Sequence, residues 1–178
     1  YYQLTNQIHH KGLNGYFFTP VDSTKNLPAQ LIFRGTDCAA SAHRDLDPYG
    51  VGKTTFDEKA AQIQAMVATY AKKHENAKIE VIGHSLGAGD AQRAVINLIS
   101  PDSDFCYADI KLFSYCTPKL DSPTINMWFQ NLNALCEAEK KPRIELNFSH
   151  HERDLVTWTG DANICGTEEF FIPCSYLV

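Results

Sequence analysis

The sequence predicts an α/β fold: a mostly parallel sheet with helices on both faces, compact or truncated in extent. Three observations carry that expectation. Short runs of β-branched and aromatic residues recur along the chain, longer stretches of helical periodicity separate them, and clusters of Gly, Asp, Ser and Pro mark the joins. Strands that alternate with helices are linked by crossovers, and crossovers favour parallel pairing.

Residues 13–19 (LNGYFFT) and 29–34 (AQLIFR) read as two strands around a loop of Pro, Asp, Ser and Asn. The second runs into Gly35-Thr36-Asp37. Residues 38–54 show no clear period and read as a polar loop with room for one short helix. Thr55 then opens a helix with Glu58 placed to close a capping box, and Phe56, Ala60, Ile63, Val67 and Tyr70 form one buried face. Residues 78–83 (KIEVIG) are a short strand, followed by a helix whose buried stripe is Leu86, Ala88, Ala91, Val95 and Leu98. Another strand spans 110–116 (IKLFSYC). Ser122 as N-cap and Pro123 at the first helical position start a third helix, with Ile125, Trp128/Phe129, Leu132 and Leu135/Cys136 as its stripe. Residues 143–149 (RIELNFS) alternate as a last strand.

The 178 residues fit a single domain over 1–178 with a sizeable core. Because the chain begins at Tyr1 rather than Met, the expectation is a processed form or a fragment of a longer protein. A net charge of -5 gives no attraction for nucleic acid. No apolar run reaches the roughly 18 residues of a membrane span, and residues 1–20 lack signal-peptide order, so the chain reads as soluble. Its compartment stays open, secretion included.

The six cysteines show no CxxC or Cys/His metal spacing, and no metal or cofactor is expected. A bridge between Cys165 and Cys174 is feasible, whereas Cys116 reads as a small buried hydrophobe. The sequon Asn147-Phe148-Ser149 falls inside a strand, which argues against glycosylation there.

Gly83-His84-Ser85-Leu86-Gly87 has the form G-x-S-x-G, with a strand before it and a helix after it. The pentapeptide alone arises by chance in a chain of this length with a probability of about 0.06 at average glycine and serine usage. Its context makes it more specific. A serine on a sharp strand-to-helix turn has its hydroxyl lifted above the strand end, and side chains two positions either way would collide with the turn.

Residues 82–89 (IGHSLGAG), with the upstream LIFRGT of 31–36 and the downstream RDLV of 153–156, resemble the class 3 lipase family of α/β-hydrolases. The similarity covers roughly 30–157. It implies an α/β-hydrolase sheet, Ser85 as nucleophile, Asp154 as the acid of a triad, and Thr36 in the oxyanion hole. Two donors aimed at the developing oxyanion would then be the backbone N–H groups of Leu86 and Thr36. It also implies esters of lipids as the leading substrate class, with small esters and peripheral membrane contact compatible.

The family's order requires a histidine after Asp154, and residues 155–178 contain none. His84 adjoins Ser85 and should point away and pack against the sheet. His43 lies in the loop after the oxyanion strand, and His150 and His151 adjoin the last strand. His9, His10 and His74 read as surface residues. Three explanations follow: a histidine beyond Val178, an upstream histidine in its place, or a degenerate triad in a domain that binds a lipid or protein partner without cleaving. Asp90 departs from the apolar residue usual at that helix position. An exposed ion pair with Arg93 and a polar wall to an acyl pocket are its two readings.

The expected function is therefore a serine hydrolase cleaving carboxylic esters through an acyl-enzyme on Ser85, without metal or cofactor.

Overall fold

The computed structural model of the chain describes residues 1–36, 47–74, 76–101, 109–138, 143–149 and 160–164. Its strands are β1 (Tyr2–His10), β2 (Leu13–Pro20), β3 (Ala29–Phe33), β4 (Lys78–His84), β5 (Asp109–Tyr115) and β6 (Ile144–Ser149). Its helices are α1 (Lys53–Asp57), α2 (Ala60–Ala71), α3 (Leu86–Leu98) and α4 (Ser122–Glu137), with a 3-10 turn at Ser23–Lys25. The strands form one sheet in chain order. Pairing is antiparallel from β1 to β3 and parallel from β3 to β6, so the sheet is mixed.

The first hairpin was not foreseen. Lys11 and Gly12 both take positive φ, 47° and 84°, and such two-residue turns match the twist of the strands they join. The outer strand β1 hides from periodicity analysis because residues 3–7 are exposed on both faces and Ile8 alone is buried.

From β2 onward the alternation is clean. Leu13, Phe17, Leu31, Phe33, Ile79, Val81, Ile110, Leu112, Ile144 and Leu146 line one face, and Ile63, Val67, Trp128, Leu132 and Leu135 of α2 and α4 pack into the same core. Nearly all of α3 is buried beside them. The described helices thus share one face of the sheet, and Tyr16, Ile32, Ile82 and Phe113 on the other stay partly exposed.

Two expected caps are corrected. The helix of the fifties starts at Lys53 rather than Thr55 and breaks after Asp57, before α2 begins at Ala60. The Thr54 N–H donates to Asp47 at 2.7 Å, while Glu58 accepts from Lys11 Nζ at 2.8 Å and pairs with His10. Lys11, in the turn between β1 and β2, engages Glu58 in place of the capping box. In α4 the N-cap is Asp121, which accepts from the Thr124 N–H at 3.0 Å. Ser122 instead donates its N–H and hydroxyl to Asp161, at 2.7 and 2.6 Å. Phe129 and Cys136 lie exposed rather than on the buried stripe. Cys116 is half-buried at φ 51° just past β5, where the chain leaves the sheet, and is not the buried hydrophobe expected. Cys165 and Cys174 fall outside the described residues.

Candidate active site at the carboxyl end of the sheet

Ser85 occupies the single position between β4 and α3, at φ 55° and ψ -127°. That backbone conformation costs a residue with a Cβ about 1–3 kcal/mol and persists only when its surroundings enforce it. Here two hydrogen bonds do so. The Ser85 N–H donates to the Tyr115 carbonyl at the end of β5 at 2.9 Å, and the Ser85 carbonyl accepts from the Ala88 N–H at 2.8 Å. The first ties the turn to the sheet and the second starts the helix.

The flanking glycines are required by space. A methyl on Gly83 would lie 2.2 Å from the Gly87 carbonyl oxygen, and one on Gly87 would lie 2.4 Å from the Phe33 carbonyl oxygen. Gly87 therefore brings the first turn of α3 against the exit of β3. On the other side of that exit, a methyl on Gly35 would lie 2.7 Å from the His84 carbonyl oxygen and 3.4 Å from Ser85 Cβ. Thr36 follows directly and is exposed, while Leu86, the first residue of α3, is buried. Ser85, Leu86 and the Gly35–Thr36 segment are thus neighbours at one end of the sheet. The positive end of the α3 dipole lies there too, which favours developing negative charge.

His84 is exposed, with Nδ1 3.6 Å from where a Gly35 Cβ would stand, and does not pack against the sheet as expected. It is the last residue of β4, on the side of the sheet away from the shared core, so nothing in that core reaches it.

Asp154 lies outside the described residues, as do His43, His150 and His151. The segments on either side of that stretch are tied to the same region. The Ser149 carbonyl accepts from the Cys116 N–H at 2.8 Å, and Leu120 and Ala162 form an antiparallel bridge.

The exposed Asp90–Arg93 pair is corrected: both side chains are buried on α3, Asp90 at 0% and Arg93 at 2% exposure. Arg93 Nη2 lies 3.7 Å from Asp121 Oδ2, the N-cap of α4. Its charge also bears on Asp47. Partial burial pushes the Asp47 carboxyl up, but hydrogen bonds from Thr54 and Tyr49 together with Arg93 outweigh that and hold it below its usual value. Gln92, equally buried, was missed: its side chain donates to the Pro118 carbonyl at 3.1 Å and accepts from the Ile164 N–H at 3.1 Å. The available signal was the polar group Asp90, Gln92 and Arg93 on a helix made mostly of small and apolar residues.

A cavity of about 290 Å³ lies at the opposite end of the strands, lined by Lys78, Glu80, Asp109, Lys111, Arg143 and Glu145 among others. Ligands of open α/β sheets bind beyond the carboxyl ends of the strands, and that is where Ser85 stands. Among the described residues no cluster of His, Cys, Asp and Glu could hold a metal ion. No described helix is long and apolar enough to cross a membrane.

The family model for lipase (class 3) matches residues 54–159, more than half of the chain. No curated protein matches it. Among solved structures, a fungal lipase in complex with an inhibitor aligns with a TM-score of 0.66 and 16% identity over 87% of this chain and 59% of its own. A triacylglycerol lipase from Penicillium expansum aligns at 0.67 and 13% identity, over 96% and 68%. The lipase of Rhizopus microsporus var. chinensis aligns at 0.56 and 17% identity, over 84% and 52%. The chain thus spans between about half and two-thirds of the length of these lipases, and at such identities the likeness is one of fold. With more than half of its length matching the family model, the chain belongs to the class 3 lipase family.

Proposed function

We propose that this chain is the lipase-like domain, over residues 1–178, of a serine hydrolase that cleaves carboxylic esters, with acyl esters of lipids as the substrate class. The observation that carries the reading is the strained Ser85 turn, held at the carboxyl end of β4 and packed by glycines against the exit of β3.

In the reaction, Ser85 Oγ attacks the ester carbonyl carbon while an imidazole takes its proton. The carbonyl oxygen becomes an oxyanion that accepts hydrogen bonds from the Leu86 and Thr36 N–H groups. Collapse expels the alcohol, which takes the proton from the imidazolium and leaves an acyl-serine. Water, activated by the same imidazole, releases the acid and regenerates Ser85. Asp154 holds the imidazole in the required tautomer and stabilises its cation. The imidazole is drawn from His43, His150 and His151 or from chain beyond Val178. No step uses a metal or a cofactor.

The test is intact-mass labelling with a fluorophosphonate, which forms a covalent bond to an activated serine. One adduct on the 178-residue chain, lost in Ser85→Ala, is expected if the base lies within it; if the base lies beyond Val178, labelling appears in the longer protein instead. A folded protein that takes no label in either form, yet binds fatty acid, would replace this reading with a binding domain.

A further inference from the structure

We propose that the cavity at the amino ends of β4, β5 and β6 is a second ligand site, built for a small zwitterion whose ammonium and anionic oxygens are separated by two carbons, as in a phosphoethanolamine group. The proposal does not depend on the hydrolase reading, because Ser85 stands at the other end of the strands.

The charges lining this cavity alternate in two directions. Lys78 stands beside Asp109 in the β4–β5 ladder, and Asp109 lies beside Arg143, the residue before the Ile144 that pairs with Ile110. Two residues further along, Glu80 stands beside Lys111, and Lys111 beside Glu145. All six line the cavity, on the face of the sheet away from the helices. Each charge therefore has an opposite charge on the next strand and another two residues along its own. Arg143 precedes β6 but is held in line, because its carbonyl accepts from the Ile110 N–H at 2.8 Å.

The second row is engaged within the protein. Gln30 donates to Glu80 at 2.9 Å, and Lys111 Nζ lies 2.8 Å from Glu145 Oε2. That hydrogen bond from Lys111 is the largest influence holding the Glu145 carboxyl below its ordinary value. In the first row, the Lys78 and Asp109 side chains have no hydrogen bond or ion pair among the described residues. The first row is what a ligand can use.

The alternation selects the ligand. Its charges repeat at the spacing of neighbouring strands, about 4.7–4.9 Å. A lone anion drawn to Lys78 or Arg143 also nears Asp109, and a lone cation drawn to Asp109 lies between two cations, so attraction and repulsion offset. A ligand carrying both signs at that spacing gains from each. A two-carbon link between ammonium and phosphate spans about one strand spacing. The ammonium then donates to Asp109, and the phosphodiester oxygens accept from Lys78 and Arg143 on the strands to either side. Pro28, Ile79 and Ile110 complete the walls, and the volume of about 290 Å³ suits a head group rather than a large molecule.

The experiment titrates the isotope-labelled 178-residue chain with glycerophosphoethanolamine and follows the backbone amide shifts. Saturable shifts centred on residues 78–80, 109–111 and 143–145 are expected, with Kd on the order of millimolar for a ligand of about a dozen non-hydrogen atoms. Ethanolamine and dimethyl phosphate, the two halves, should each bind about tenfold more weakly. Glycerophosphocholine, whose quaternary amine donates no hydrogen bond, should also bind more weakly. Asp109→Asn should lose about fivefold in affinity, the upper range for a partly exposed charge pair, while Ser85→Ala binds as wild type does. Vesicles containing phosphatidylethanolamine that sediment the chain, and release it to the soluble diester, would identify the group as a lipid head group. Soluble binding without sedimentation would identify a free metabolite. A half that binds as tightly as the whole, shifts centred elsewhere, or wild-type affinity in Asp109→Asn overturns the site. Loss of binding in Ser85→Ala also overturns it, because the ligand then sits at the serine. The shift map and the analogues need no variant, so they decide the matter if Asp109→Asn does not fold.

Discussion

The strain at Ser85 can be measured separately from its chemistry. At φ 55° and ψ -127° the serine backbone carries a cost of about 1–3 kcal/mol that a glycine avoids, set against about 0.5–1 kcal/mol for glycine's extra freedom when unfolded. Ser85→Gly should therefore raise the unfolding free energy by about 1 kcal/mol while abolishing labelling, whereas Ser85→Ala keeps the strain and changes stability little. Calorimetry of the three proteins checks this, and identical melting temperatures would mean the turn is relaxed. The Ser85 turn was legible from residue types because glycine, serine and a strand-to-helix switch occur together in one short stretch. The partners of Asp90 and Arg93 were not. Charged residues three apart on a helix read as a solvated pair, and only the packing of α3 against the sheet and α4 makes them buried.

Between elements, the tip of the β1–β2 hairpin is fastened to the break between α1 and α2 by Glu58. Hydrogen bonds from Lys11 and His10, helped by their charges, hold its carboxyl down to about 2. An unfolded glutamate titrates near about 4.3, so the folded value is the depressed one. The linked stability is fully present above the unfolded value and is lost as pH falls through about 2. Glu58→Gln should flatten the fall in urea midpoint across that acid window while leaving the neutral-pH slope alone. Parallel curves for the two proteins would mean that the contact adds nothing, as for many exposed ion pairs. The same contact explains the failed capping box, since Thr55 and Glu58 have the right spacing but Glu58 is engaged by a hairpin that comes 47 residues earlier.

Across the whole molecule, Gln92 joins parts of the chain that are far apart in sequence. Its buried amide donates to the Pro118 carbonyl and its oxygen accepts from the Ile164 N–H, 72 residues on. Gln92→Leu conserves approximate volume but strands both partners in a buried setting, at about 1–3 kcal/mol for each group left without a hydrogen bond. The expected outcome is a loss of about 2 kcal/mol or more, with amide exchange at Leu120 and Ile164 speeding before the rest of the sheet. Uniform acceleration across the sheet would show instead that residues 160–164 have no separate anchorage.

Periodicity and turn chemistry sufficed for β2 to β6, for α3 and α4 to within a few residues, for the buried face of α2 but not its break from α1, and for the serine turn between β4 and α3, because each depends on neighbours a few positions apart. What they could not supply depends on distance in space. The edge strand β1 carries no alternation because most of its side chains face water. The N-cap of α4 is Asp121 rather than Ser122 because Asp161 takes the Ser122 donors. Gly35 is glycine because a turn 50 residues later leaves no room for a methyl group. Hydrogen bonds and excluded volume act between whatever atoms the fold brings together, and that list is written only once the sheet has closed over its helices.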